Sequence, residues 1–400
     1  MSRVLFINGN AYGHINPTLP LVKELQARGE EIVYYSTADF KERIEEHGAA
    51  FADYGEVLGR FLRNFKPSGN HPFYTLIEFM LQMDEAVIPI ILEREKGKQY
   101  DYLIHDSMFG GGSILARLLG LPAVCSCSSF AMNRLPVPPH MVESGFHPQM
   151  DCFIKQAESF GKTFGVGTPG ALDVFFKREK LNIVYTSKYF QPESGAFDDS
   201  FKFVGPSISQ RNEPADFSLE YPDGRRVIYV SLGTINNECP DFYRKCMEAF
   251  AQTDCRVVMS VGRKTDIASL GEIPENFIVR NHVPQLEVLK KADAFISHGG
   301  LNSVSESLYY GVPLVIVPMA NDQPMVARQV VSLGAGIGLK SEEITPELLR
   351  ESIFRLLADG SYKAESRKIG DSFREAGGYR VAADYIMQYT SRTGELSKCL

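Results

Sequence analysis

Apolar and polar positions along the chain repeat a strand–helix rhythm twice over. Val4–Asn8 is a short apolar run that predicts a strand. Pro17–Arg28 follows as an amphipathic helix, opened by Asn16-Pro17 and closed by Gly29. Glu31–Ser36 predicts the next strand and Asp39–His47 the next helix. From Val57 to Lys98 the rhythm breaks into a longer, mostly helical segment rich in Phe, Leu, Met and Ile. It resumes with the strand Tyr102–His105, a helix from Gly110-Gly-Gly-Ser113 to Leu119 and the strand Ala123–Ser128. Pro136–Phe176, with its Pro, Gly and Phe residues, predicts an irregular region. Ile183–Thr186 and Phe203–Pro206 close this half.

The polar, Pro-containing stretch Ser207–Arg226 reads as a linker. The rhythm then restarts. Strands are predicted at Val227–Leu232, Arg256–Val261, Asn276–Arg280, Ala294–Ser297 and Leu314–Pro318. Helices are predicted from Asp241, over Gln285–Lys291, Gln323–Leu333 and Thr345–Ala358, and over Tyr379–Leu400. Strands alternating with helices predict an α/β protein of two doubly wound parallel sheets. The expected organisation is residues 1–206, a linker 207–226, residues 227–378 and a terminal helix 379–400.

Two stretches carry chemistry. In the second half, Ala294–Ser297 runs into His298-Gly299-Gly300-Leu301-Asn302-Ser303-Val304-Ser305-Glu306. The glycines permit a tight, φ > 0 turn and close approach of a ligand. The new helix offers its positive end to a phosphate or diphosphate. His298 adds a hydrogen bond or a positive charge, and Ser303 a hydroxyl. Glu306, one turn further on the same face, suits a ribose diol. The same residues also satisfy a purely structural description, with Asn302 as N-cap and Ser303-x-x-Glu306 as capping box. In the first half, Asn8-Gly9-Asn10-Ala11-Tyr12-Gly13-His14 sets a histidine just before a helix N-terminus, whose dipole favours the neutral ring. Asp106, just past the strand Tyr102–His105, is expected at the same sheet edge. There it would orient His14 as a proton acceptor. Without context, a cap or surface side chain for the histidine and a turn residue for the aspartate are the commoner descriptions. His105 is expected to point to the other side of its strand and to be structural.

Composition narrows the classes. A chain of 400 residues exceeds what one core usually serves. A net charge of −7 argues against nucleic acid and anionic membranes as partners, and no apolar run reaches spanning length. The start reads as a strand rather than a signal peptide. Seven cysteines without a C-x-x-C pair read as core thiols of a reducing cytoplasm, with Cys125 and Cys127 on one strand face.

Around the His298 motif lie Val283-Pro284-Gln285 upstream, and Gly311-Val312-Pro313, Pro318 and Asp322-Gln323 downstream. Together they resemble the donor-binding signature of family 1 UDP-glycosyltransferases, closest to soluble bacterial enzymes that glycosylate macrolides and flavonoids. The resemblance covers essentially the full chain. It implies the GT-B fold, two Rossmann-like domains facing a cleft, with the last helix returning to the first domain. It makes His14 the general base and Asp106 its partner. Val283 would hold uracil through its backbone, with Gln285 near the base or ribose. His298, Asn302 and Ser303, beside Gly300, would bind the diphosphate, and Glu306 the ribose. Thr234 would lie near a phosphate, and Asp322 and Gln323 on the transferred sugar, as is common in glucose users. Ser128 or Ser129 would touch the sugar from the first domain. His282 stands where the family often has a stacking Trp, and Leu301 where it often has Trp or Met; the chain has no Trp at all.

The implied reaction is an inverting displacement from UDP-glucose to a hydroxyl, with no cofactor or metal and a monomeric enzyme. Phe61, Phe79, Met83 and Met132, from the two irregular segments, are expected to wall an acceptor site for apolar flavonoids, macrolides or terpenoids. Two other readings are a sugar-nucleotide 2-epimerase of the same fold and a non-catalytic sugar-nucleotide-binding protein. The epimerase would lack the Asp-Gln pair and the large apolar insertions.

Overall fold

A computed structural model of the chain describes residues 2–109, 111–209, 224–234 and 237–397. It divides into two compact units. One is Met1–Tyr185 with Glu193–Ser207 and Gly377–Leu400; the other is Thr186–Pro192 with Ile208–Ala376. The expected linker falls largely on 210–223, outside the described residues. Thr186–Pro192, read from sequence as part of the first half, groups with the second. Its Ser187 Oγ lies 2.7 Å from Ser372 Oγ, and Phe190 packs edge-on against Phe373 at 5.5 Å.

The first unit is built on a seven-stranded, wholly parallel sheet. Its strands are β1 (Arg3–Ile7), β2 (Glu31–Ser36), β3 (Ala50–Asp53), β4 (Tyr102–Asp106), β5 (Ala123–Cys127), β6 (Asn182–Val184) and β7 (Phe201–Phe203). Their spatial order is β3-β2-β1-β4-β5-β6-β7. The period of two is visible in the packing. Val4 and Phe6 join one core, with Leu21, Leu25, Ala382 and Ile386; Leu5 and Ile7 join the other, with Met80, Ile88 and Phe153. The helix Gly378–Ser397 packs against Thr18–Ala27 in this unit, tied by Arg28 to Asp384 at 2.5 Å.

The long break in rhythm is two helices, Glu56–Asn64 and Pro72–Arg94. The region Pro136–Phe176, expected to be irregular, contains a long helix, Pro148–Phe164, and a short one, Ala171–Phe175. The long helix starts from an unusual cap: the His147 ring nitrogen accepts from Gln149 N, with Pro148 at the first position.

The second unit holds a six-stranded parallel sheet. Its strands are β8 (Arg226–Ser231), β9 (Cys255–Ser260), β10 (Phe277–Arg280), β11 (Ala294–Ser297), β12 (Leu314–Ile316) and β13 (Gly336–Gly338). The order β10-β9-β8-β11-β12-β13 repeats the order of the first sheet's first six strands. In each sheet the order reverses between two central strands, β1 and β4 or β8 and β11. Open α/β sheets bind ligands beyond the carboxyl ends of such strands. No helix among the described residues is long and apolar enough to cross a membrane.

Candidate active site

In the first unit, the loop after β1 and the end of β4 meet at the reversal point. Asn8, fully buried, organises that loop. Its Nδ2 donates to the His14 carbonyl at 3.1 Å and to Tyr34 Oη at 2.6 Å, while the Tyr54 hydroxyl donates to the Asn8 carbonyl at 2.6 Å. His14 does not precede a long helix directly, as expected from sequence. It sits in a one-turn helix, Tyr12–Ile15, because Ala11 is extended and Asn16-Pro17 intervene before Thr18–Ala27. The helix-dipole reason for a neutral ring therefore falls away. The carboxylate takes its place as the orienting group. His14 Nδ1 donates to Asp106 Oδ2 at 2.7 Å.

Asp106 is the last residue of β4 rather than a residue beyond it, and is 1% exposed. Burial alone pushes its carboxyl up. The His14 charge and hydrogen bond, with the amides of Met108 and Phe109, overcome burial and hold it below the usual carboxylate range. Those amides donate to Oδ1 at 2.7 and 3.0 Å, leaving Oδ2 to His14. Ser128 joins the pair: its hydroxyl lies 2.7 Å from His14 Nδ1 and donates to Asp106 Oδ2 at 3.3 Å. The Ser129 hydroxyl turns back to the Phe130 carbonyl. Phe109, which sequence reasoning passed over, stands edge-on to the His14 ring at 4.9 Å. His105 is fully buried; its Nδ1 donates to the Asp106 carbonyl at 2.9 Å.

The predicted acceptor residues separate. Met83 is 6% exposed and belongs to the core. Phe79 and Phe61 stand 5.3 Å apart in an aromatic group with Phe65. Phe61 also lines a groove of about 420 Å³ with Gln82, Glu85, Ala86 and Gln156. Met132 is half-buried against the same core.

In the second unit, the loop after β11 turns at Gly299, whose φ is +90°. Gly300 is the N-cap of the helix Leu301–Tyr309, which carries no side-chain cap. Asn302 and Ser303 lie inside the first turn, so neither the N-cap expected at Asn302 nor a capping box forms. The His298 ring is enclosed between two glycines; a Cβ at Gly233 or at Gly300 would come within 2.6 Å of it. Burial pushes His298 down to about 4, so at neutral pH it offers a neutral ring. A neutral imidazole can both donate and accept a hydrogen bond.

Gln285, Ser303 and Glu306 come together. Gln285 Nε2 donates to Glu306 Oε2 at 2.6 Å and lies 3.5 Å from Ser303 Oγ, while Tyr229 donates to Gln285 Oε1 at 3.1 Å. Val283 is buried, His282 and Thr234 are exposed, and Leu301 is 6% exposed. Gln323 is buried, its Oε1 accepting from the amides of Met319 and Ala320 at 2.8 and 2.9 Å. Asp322, half-exposed, is the N-cap of Gln323–Ser332. The described cysteines are free, with Cys125 and Cys127 Sγ 3.6 Å apart on one face of β5.

Two Rossmann-like parallel sheets of this kind are the architecture of GT-B glycosyltransferases. The solved structure of CalG4, the calicheamicin glycosyltransferase, is similar with a TM-score of 0.87 and 30% identity, over 98% of this chain and 99% of that one. The family model for the erythromycin biosynthesis protein CIII-like C-terminal domain matches residues 244–376. The uncharacterized UDP-glucosyltransferase YojK of Bacillus subtilis (strain 168) is 37% identical, over 97% of each chain. The demethyllactenocin mycarosyltransferase of Streptomyces fradiae is 30% identical, over 96% of this chain and 86% of its own. The chain belongs to this family of family 1-like bacterial glycosyltransferases, which includes UDP-glucosyltransferases and macrolide glycosyltransferases.

Proposed function

We propose that this glycosyltransferase moves glucose from UDP-glucose to a hydroxyl of an apolar small molecule, such as a flavonoid, macrolide or terpenoid, with inversion at the anomeric carbon. The observation that carries the reading is the 2.7 Å bond between His14 Nδ1 and Asp106 Oδ2. It fixes the tautomer that leaves Nε2 as the base.

In this mechanism the acceptor oxygen gives its proton to His14 Nε2 and attacks C1 of the α-linked donor. The C1–oxygen bond to the diphosphate breaks, and UDP leaves with the electron pair. The imidazolium is stabilised by the anionic Asp106, with the Ser128 hydroxyl on the same oxygen. The diphosphate sits at the start of Leu301–Tyr309, where helix amides, Ser303 and a neutral His298 take up the charge of the departing UDP. The ribose diol engages Glu306 and Gln285, and the glucose hydroxyls engage Asp322 and the Gln323 amide. Support for glucose comes from the Asp322-Gln323 pair and from relatives named as UDP-glucosyltransferases. Support for an apolar acceptor comes from the half-buried Phe61 and Phe79 on the inserted helices, with Phe65 just past the end of the first.

The test is mass-spectrometric product detection with UDP-glucose and a panel of phenols, macrolides and sterol-like alcohols, using wild type and His14→Ala, with and without EDTA. One hexose added per product, lost in the variant and indifferent to chelation, is the expected result. UDP binding without transfer to any acceptor refutes it.

A further inference from the structure

Beneath the His14–Asp106 pair lies a buried ion pair that no step above uses. Lys177, 3% exposed, follows the short helix Ala171–Phe175; Asp84, also 3% exposed, projects from the long helix Pro72–Arg94. Lys177 Nζ lies 3.1 Å from Asp84 Oδ2. The same Nζ donates to the Met108 carbonyl at 3.0 Å, and the Lys177 backbone amide donates to the Ser107 carbonyl at 2.7 Å.

Lys177 thus grips two consecutive carbonyls of the turn that follows β4. The amides on the other side of that turn, Met108 and Phe109, are the ones that hold Asp106 Oδ1. The turn is anchored at a third point, where Ser107 N donates to the Ser126 carbonyl at 3.0 Å. A buried ion pair is weak evidence of a stabilising role. Taking two charges out of water costs several kcal/mol each in effective terms, and well-packed apolar replacements are often neutral or stabilising. What an apolar pair cannot do is donate to the Met108 carbonyl.

We propose that Lys177, fixed in place by Asp84, is a positioning group for the His14–Asp106 pair. It clamps the Ser107–Met108 turn so that the turn's amides aim the Asp106 carboxylate at His14. The inference rests on His14 acting as the base.

The test is a mutant cycle on the full chain, with UDP-glucose and an accepted phenol. Lys177→Met with Asp84→Asn removes both charges at nearly constant volume and leaves no orphaned ion. The expected result is a kcat lower on the order of 10- to 100-fold with an unchanged KM for UDP-glucose, as for a catalytic group displaced by a fraction of an ångström to about an ångström. Added to Asp106→Asn, which keeps a measurable turnover, the same pair of substitutions causes little further loss, because it acts through the aim of that carboxylate on His14. A folded double variant with wild-type kcat, beside an inactive His14→Ala, overturns the positioning role alone. Losses that multiply in both backgrounds mark a general structural effect and overturn it too. An active His14→Ala overturns the base and this inference together. Should the double variant fail to fold, Asp84→Asn alone goes through the same cycle. There Lys177 keeps its bond to Met108 but loses its anchor, and a severalfold fall in kcat supports the role while wild-type kcat sinks it.

Discussion

Gln285 Nε2 donates to Glu306 Oε2 at 2.6 Å, joining the start of one helix to the second turn of another. The amide closes off one oxygen of a carboxylate that is only 5% exposed, and so sets the direction of the rest of the group. Glu306→Gln removes the charge and places two amides face to face. Isothermal titration with UDP is expected to show binding weaker by roughly 1.5–3 kcal/mol, the worth of hydrogen bonds to a charged group. Unchanged affinity would remove Glu306 from the ribose.

Asp106 and Ser128 share the same side of His14, yet they are not equivalent. Asp106→Asn offers the ring a neutral amide where it now has an anion, and kcat is expected to fall by about 10²- to 10⁴-fold. Ser128→Ala removes one neutral hydroxyl and costs about 3- to 10-fold, matching roughly 0.5–1.5 kcal/mol for a single hydrogen bond. Steady-state kinetics on both variants check the ranking. Equal losses would contradict the division of labour.

His298 makes the second unit acid-sensitive. Its folded value of about 4 lies below the ordinary 6.5, so between those values the unfolded chain binds the extra proton. The stabilisation is complete above pH 6.5 and is lost as pH falls towards 4. The loss by pH 4.5 amounts to at most about 2–3 kcal/mol. Urea unfolding at pH 7 and pH 4.5 is expected to show a smaller decline for His298→Gln than for wild type. Parallel declines would assign the acid sensitivity elsewhere.

Gly299 cannot be replaced without strain. Its φ is +90°, and an added Cβ would meet Ile316 Cγ2 at 2.7 Å. Gly299→Ala is expected to destabilise the protein by about 1–3 kcal/mol and to weaken UDP binding with it. Calorimetric melting measures the first effect and titration the second.

Most of the alternating scaffold was legible because buried parallel strands are continuous apolar runs. Val4–Asn8 and Ala294–Ser297 were each found within a residue of β1 and β11. The strand β3 is only four residues long with none fully buried, β13 is Gly-Ile-Gly, and Gly360–Glu375 is a polar helix whose buried positions are few. The helix Pro148–Phe164 was hidden by its surroundings of Pro and Gly and by a histidine cap, a residue that seldom caps. At the site, propensity misled in one place. Asn302 is a better cap than glycine, but the backbone turns at Gly299 and the helix begins a residue before Asn302. Side-chain partnerships across distant strands were less accessible. That Ser128 lies on His14, and Lys177 on Met108, depends on the order β1-β4-β5, which periodicity does not reveal.

The uninterrupted run of chain between β3 and β4 looks like a segment that can be exchanged whole between relatives. The two helices it encodes are not a detachable module, however. One of them carries Asp84, the counter-ion of Lys177, which itself lies beyond β5. A transplanted segment without a carboxylate at that one position leaves the Lys177 ammonium buried without its counter-ion.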